Sequence, residues 1–125
     1  MKEELAATWL QGPKAVTQQR FNLVQMTMQP INIRMHDGSR HFASLPQTVM
    51  WHGLRDHLEK LNTAVVTEFI SDNITEAWID FTFQNKKFSV NDQFGEYWFF
   101  VQDASCPDDI LIVVIQHCES LLGNR

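Results

Sequence analysis

Seven residues from Ala77 to Phe83 set the strongest constraint on how this chain can fold. Ala77, Ile79, Phe81 and Phe83 fall on one side of a two-residue repeat, and Trp78, Asp80 and Thr82 fall on the other, continuing back to Glu76. A period of two predicts a half-buried β-strand with one apolar and one wet face. The polar run Gln84-Asn85-Lys86-Lys87 suits a tight turn, because Asn tolerates positive φ. Phe88 and Val90 return at strand spacing, and Asn91 to Gly95 breaks the chain again. Tyr97-Trp98-Phe99-Phe100-Val101 is an unbroken apolar run, which predicts a central strand covered on both faces.

A closing helix is expected over residues 106–122. Ser105 is placed as its N-cap with Asp108 as the capping-box acid, and Pro107 suits the first turn. Asp108 and Asp109 complement the positive end of the helix dipole. Ile110, Leu111, Val114, His117, Cys118, Leu121 and Leu122 form the stripe meant for the sheet, and Gly123 ends it.

Earlier in the chain the signals are shorter. Residues 1–19 are expected to be an N-terminal segment in which Leu5, Trp9 and Leu10 could dock a short helix on the domain. Residues 20–125 form a single domain. Phe21 to Met28 reads as a strand. Ile31, Ile33 and Met35 alternate with polar residues up to Asp37-Gly38, the strongest hairpin signal present, and Ser39 to Ala43 is the return strand. A first helix is expected over residues 46–62, opened by Pro46 and stopped by Asn62, with Met50, Leu54, His57, Leu58 and Leu61 on its apolar stripe. Ala64 to Ser71 is strand-like, and Ser71-Asp72-Asn73 a turn. The expected class is α+β: an antiparallel sheet made of a four-strand meander and an N-terminal hairpin, with both helices packed on one face.

The composition bounds the function. The chain has 125 residues, no run long enough to span a membrane, and no signal-peptide pattern, so a cytoplasmic protein is expected. Cys106 and Cys118, if both lie on one helix, stand about 18 Å apart along its axis, too far for a disulfide. Net charge is −5 and uneven: residues 1–63 carry +2 and residues 64–125 carry −7. Such a field disfavours nucleic acid and attracts basic partners. The five histidines lack metal-binding spacing, no nucleophile motif is present, and neither a metal, a cofactor nor catalysis is expected. Trp78 among acids is the one awkward wet-face residue: either it is an interface anchor, a role Trp favours, or the N-terminal segment or the opening hairpin covers it.

At Gly95-Glu96-Tyr97-Trp98-Phe99-Phe100-Val101, followed by Cys106-Pro107-Asp108-Asp109, the chain resembles small acidic bacterial α+β proteins. The likeness of general form is to immunity proteins of contact-dependent growth inhibition systems and covers mainly residues 76–122. It implies a non-catalytic inhibitor of a secreted toxin domain, often a nuclease, and a monomer or weak dimer when free. The contact set expected is Glu76, Trp78, Asp80, Asp92, Glu96 and Asp103. The alternative is an acidic secretion chaperone, a homodimer that holds an unfolded effector segment on a surface with Met26, Met28 and Met35.

Overall fold

The computed structural model describes residues 28–71 and 77–123. The expected strand over residues 21–28 lies outside them except for its last residue, and the segment 1–19 and Glu76 lie wholly outside. In chain order the elements are β1 (Ile33–Arg34), β2 (Arg40–Pro46), α1 (Trp51–Leu58), β3 (Val65–Ser71), β4 (Ala77–Phe83), β5 (Lys86–Gln93), β6 (Glu96–Val101) and α2 (Asp108–Leu122). The six strands form one antiparallel sheet in the order β1-β2-β6-β5-β4-β3. This is the α+β class, a meander of β3 to β6 with the β1–β2 hairpin added at the β6 edge.

Turn chemistry sets the register. Gln84 and Asn85 take φ values of 53° and 62°, and Phe94 and Gly95 take 54° and 81°. Two successive left-handed residues make the tight turn whose twist matches paired strands. Each turn therefore brings its neighbours into direct opposition, Phe81 with Phe88 and Asn91 with Trp98. The first hairpin closes at Asp37-Gly38, where Gly38 has φ 90° and Asp37 Oδ1 accepts the Ser39 N–H and hydroxyl.

Both helices cover the same face. Directly opposite residues share a face, so Ile79, Phe81, Phe83, Phe88, Val90, Tyr97, Phe99 and Val101 point together, and all are buried. Phe81 stacks on Phe88 at 5.0 Å, and Phe42 meets both Phe88 and Phe99. Trp51 packs edge-on against Tyr97 at 4.8 Å, and Leu54 and Leu58 follow it inward from α1. Leu111, Val114, Ile115, Cys118 and Leu122 close the core from α2.

Four local expectations need correction. Pro46 ends β2 opposite Glu96 rather than opening a helix, and α1 is shorter than residues 46–62 at both ends. A proline fits a strand end as well as a helix start. The Tyr97 hydroxyl donates to the Val49 carbonyl at 2.6 Å and holds the intervening loop. At the other end, Lys60 and Leu61 bond three residues back, tightening the turn, and Thr63 takes φ 72°, so the chain leaves before Asn62. The α1 stripe starts at Trp51, and Met50 is 70% exposed. Ser105 does not cap α2, because its N–H and hydroxyl both go to Asp103 Oδ1, and Pro107 takes the N-cap position. Finally, β6 is covered on one face only: Tyr97, Phe99 and Val101 are buried, whereas Trp98 and Phe100 are half-buried on the other side.

Candidate functional site: the open face of the sheet

The face away from the helices has no layer over it among the described residues. Its side chains fall in rows across the strands. One row runs Ile70, Trp78, Asn91, Trp98, Ser44, and the next runs Glu68, Asp80, Ser89, Phe100, His41. A concavity of about 870 Å³ lies over the second row, between the strands and the hairpin turn at Asp37, with Asn91 at one end and Lys87 and Gln102 at the other.

Aromatic groups are held in place from beneath. The His41 ring stacks on Trp98 at 4.5 Å and lies 5.1 Å from Phe100. A bulge between His41 and Ala43 folds the chain so that His41 Nε2–H donates to the Ala43 carbonyl at 3.0 Å, beside the Ser44 hydroxyl. A carbonyl acceptor fixes that tautomer. Burial pushes the His41 pKa down, with the bond to Ala43 partly opposing it. The neutral ring is therefore favoured, and it serves Trp98 as a flat support. The Trp98 indole N–H donates to Glu96 Oε1 at 3.3 Å.

The polar groups are mostly acceptors. Asp80 Oδ1 accepts the Ser89 hydroxyl at 2.7 Å, and the Asp80 backbone carbonyl accepts Thr67 Oγ1. Glu68 lies directly opposite Asp80, and no cation pairs with either among the described residues. Asn91 Oδ1 is buried and has no hydrogen-bond partner among the described residues.

The sequence-derived contact set is divided by the fold. Trp78, Asp80 and Glu96 share the open face. Asp92 stands opposite Tyr97 and so projects on the helix side, beyond the core. Asp103 lies in the loop after β6, where the Ser105 hydroxyl and the Lys86 ammonium hold its carboxyl well below the usual carboxylate range. Glu76 lies outside the described residues. Trp98, Phe100, His41 and Asn91 belong to the face but escape a reading of β4 alone. Counting register through the Phe94-Gly95 turn is the signal that places them.

Phe94 is a further departure. It is 95% exposed and sits at φ 54°, where a bulky side chain is strained and Asn or Gly is usual. It projects at the tip of the β5–β6 hairpin, beside Glu96 and Pro46.

Among the described residues, no three His, Cys, Asp or Glu side chains converge as metal ligands, and no helix is long and apolar enough to cross a membrane. Cys106 and Cys118 are both buried free thiols, and burial raises the pKa of each. Comparison of the chain with protein-family models, with curated proteins and with solved structures gives no match.

Proposed function

We propose that this chain is a non-catalytic immunity protein that binds and neutralises a basic toxin domain, of nuclease type, through the open face of its sheet. The observation that carries this reading is the pairing of half-buried aromatic rings with acids on one sheet face that no element covers among the described residues. Trp78, Trp98 and Phe100 supply rigid apolar area that loses little entropy on contact, and Glu68, Asp80 and Glu96 supply the field. A nuclease surface is basic because it must hold phosphates. The same surface is drawn to an acidic inhibitor, and the aromatic centre then slows dissociation. Phe94, fully exposed at the margin of this face, adds an anchor for which the fold itself has no use. In this reading the chain acts in the cytoplasm, is a monomer or weak dimer when free, and needs no cofactor.

The test is a rescue experiment. Basic C-terminal toxin domains encoded beside this gene are expressed alone and together with the chain, and growth is followed. The purified pair is then assayed for nucleic-acid cleavage at low and moderate salt. Rescue of growth, a stoichiometric complex weakened by salt, and loss of both in a folded Trp78→Ala, Trp98→Ala variant are expected. Neutralisation unchanged in that variant, or no neutralisation of any such domain, refutes the assignment.

A further inference from the structure

The two edges of the sheet are finished differently. At one edge β1 is two residues long, Ile33–Arg34, ends in a cation and follows closely on Pro30. A short strand, a basic side chain and a nearby proline are common means of blunting an edge. At the other edge lies β3, seven residues long, with no proline, lysine or arginine in it. From Val65 to Ile70 it pairs with β4 on one side and with no strand on the other among the described residues. Alternate N–H and C=O groups along it therefore point outward, a template for one more strand. Val65, at its start, is 56% exposed. A bulge between Val66 and Glu68 leaves Thr67 without a register partner, and the Thr67 hydroxyl ties the strand to β4 by donating to the Asp80 carbonyl at 3.2 Å. The bulge bends this edge but does not cover it.

The side chains beside this edge specify what a further strand carries. Phe69 stands opposite Ile79 and so faces the helices, where the His52 ring meets it edge-on at 5.0 Å and the Arg55 guanidinium lies 6.0 Å from its centroid. Helix α1 thus walls one side of the edge, and a strand added to β3 lies in a trough whose floor at Phe69 is apolar. On the other side of the strand Glu68 is exposed. Arg55 is not spent on it, being paired with Asp56 and Glu59 of its own helix at 3.1 and 3.5 Å. Across a new pairing, a residue opposite Glu68 is favoured if basic and disfavoured if acidic. The same rule argues against a second copy of this chain. Glu68 is the middle residue of β3, so self-pairing about the strand centre sets Glu68 against Glu68, in a chain of net charge −5.

We infer that the β3 edge is a second binding site, which takes up an extended segment of a partner protein as an additional strand, with a basic residue of that segment opposite Glu68 and an apolar one beside Phe69. Main-chain hydrogen bonds along Val65 to Ile70 supply the affinity, and the alternation of side chains between the Glu68 side and the α1 side supplies the choice. This site goes beyond the reading of the open face and does not depend on it. Loss of toxin neutralisation leaves the edge assignment as it was, and an edge that is already covered leaves the inhibitor reading as it was.

The experiment follows backbone amides of the full chain by two-dimensional NMR. Amide exchange is measured first in the dilute free chain. Fast exchange at alternate residues between Val65 and Ile70, beside slow exchange throughout β4 and β5, is expected of an open edge. Slow exchange along the whole of β3 in the dilute chain, or its appearance with rising concentration, shows the edge covered by the chain's own residues or by a second copy, and overturns the proposal. The probe is acetyl-Thr-Val-Lys-Val-Thr-amide, which reads the same in either direction and places Lys on one face and both Val on the other. Saturable shifts and new protection along β3, with β1 unmoved, are expected with a millimolar midpoint. The fully N-methylated peptide, which has no donors, should give neither. The peptide with Glu in place of Lys should bind about threefold more weakly. Glu68→Lys sets a cation opposite Asp80, keeps the fold, and should reverse the preference between the Lys and Glu peptides. No shift along β3 up to about 50 mM peptide, equal binding of the N-methylated peptide, or a preference that Glu68→Lys does not reverse overturns the site.

Discussion

The two helices that cover the sheet are joined by a pair of histidines, and acid should loosen that joint. His57 of α1 and His117 of α2 stack with ring centroids 4.0 Å apart and 14° from parallel. His57 Nε2 donates to the His117 backbone carbonyl at 2.7 Å, and His117 Nε2 donates to the His57 carbonyl in return. Both acceptors are carbonyls, so each ring carries a proton on Nε2. Protonating both places two positive charges about 4 Å apart, costing roughly 4 kcal/mol at an effective dielectric of 20 and about 1 kcal/mol in water. The rings are only part-buried, so screening keeps the figure near the lower end, about 1 kcal/mol. Burial first, and then the neighbouring His57 and Lys60 charges, holds the His117 pKa below 6.5, with its bond to the His57 carbonyl partly opposing them. A depressed base binds its proton more readily when unfolded. Its contribution is therefore complete above pH 6.5 and lost as pH falls through the depressed value. Urea unfolding of the parent at about pH 7.5 and pH 5 should show a loss near 1–2 kcal/mol, some of it from His41, which is shifted in the same direction. In His57→Gln the amide can still donate to the His117 carbonyl, but one of the two charges is gone. The acid loss should shrink by about 1 kcal/mol, and His41 cancels in the comparison. Identical pH slopes for parent and His57→Gln would refute the repulsion argument.

Tyr97 is the single tyrosine, so ultraviolet titration of the phenol reads it directly; burial pushes its pKa up to about 12, and ionisation at the usual value near 10 would contradict that environment. Tyr97→Phe removes the bond to the Val49 carbonyl and should cost about 1–2 kcal/mol in thermal or urea unfolding. Phe94→Asn relieves a left-handed Phe and should raise stability by about 1 kcal/mol while weakening capture of the basic partner; a stability decrease would show that Phe94 packs within the fold. Cys118 is fully enclosed and burial raises its thiol pKa, so it should react with a thiol probe only after denaturant is added; rapid labelling of the native protein would contradict its place in the core.

The strands from Ala77 to Val101 were legible because strict alternation leaves one solution for which side is buried, and because Asn85 and Gly95 mark turns that only left-handed residues can make. The run Tyr97 to Val101 hid its own parity. Five apolar residues in succession carry no period, so Trp98 and Phe100 read as core when they face outward. Helix ends were misplaced where two local bonds competed for one group. Ser105 could cap a helix or complete the turn of Asp103, and the nearer carboxylate won. Pro46 was ambiguous for a related reason, because a missing N–H is harmless at a strand end and at a helix start alike. The acids were the least legible. Sequence reports their number, but register decides that Asp80 and Glu96 face one way and Asp92 the other, and Lys86 already occupies Asp103.

The fold's departures from its own rules are not scattered. On the helix face, polar groups are paired and turns follow their usual chemistry: Tyr97 finds Val49, His57 and His117 find each other's carbonyls, and Arg40 reaches both the Ile31 carbonyl and Asp108. On the open face Asn91 Oδ1 accepts no hydrogen bond among the described residues, Glu68 and Asp80 oppose each other, and two indoles stand half-exposed. At its margin Phe94 takes up a strained, fully exposed position. Each of these lowers the stability of the isolated chain, and none is needed to close the sheet or its turns. A fold that resolves such conflicts on one side of a sheet, and keeps several together on the other, concentrates its local strain on that second side.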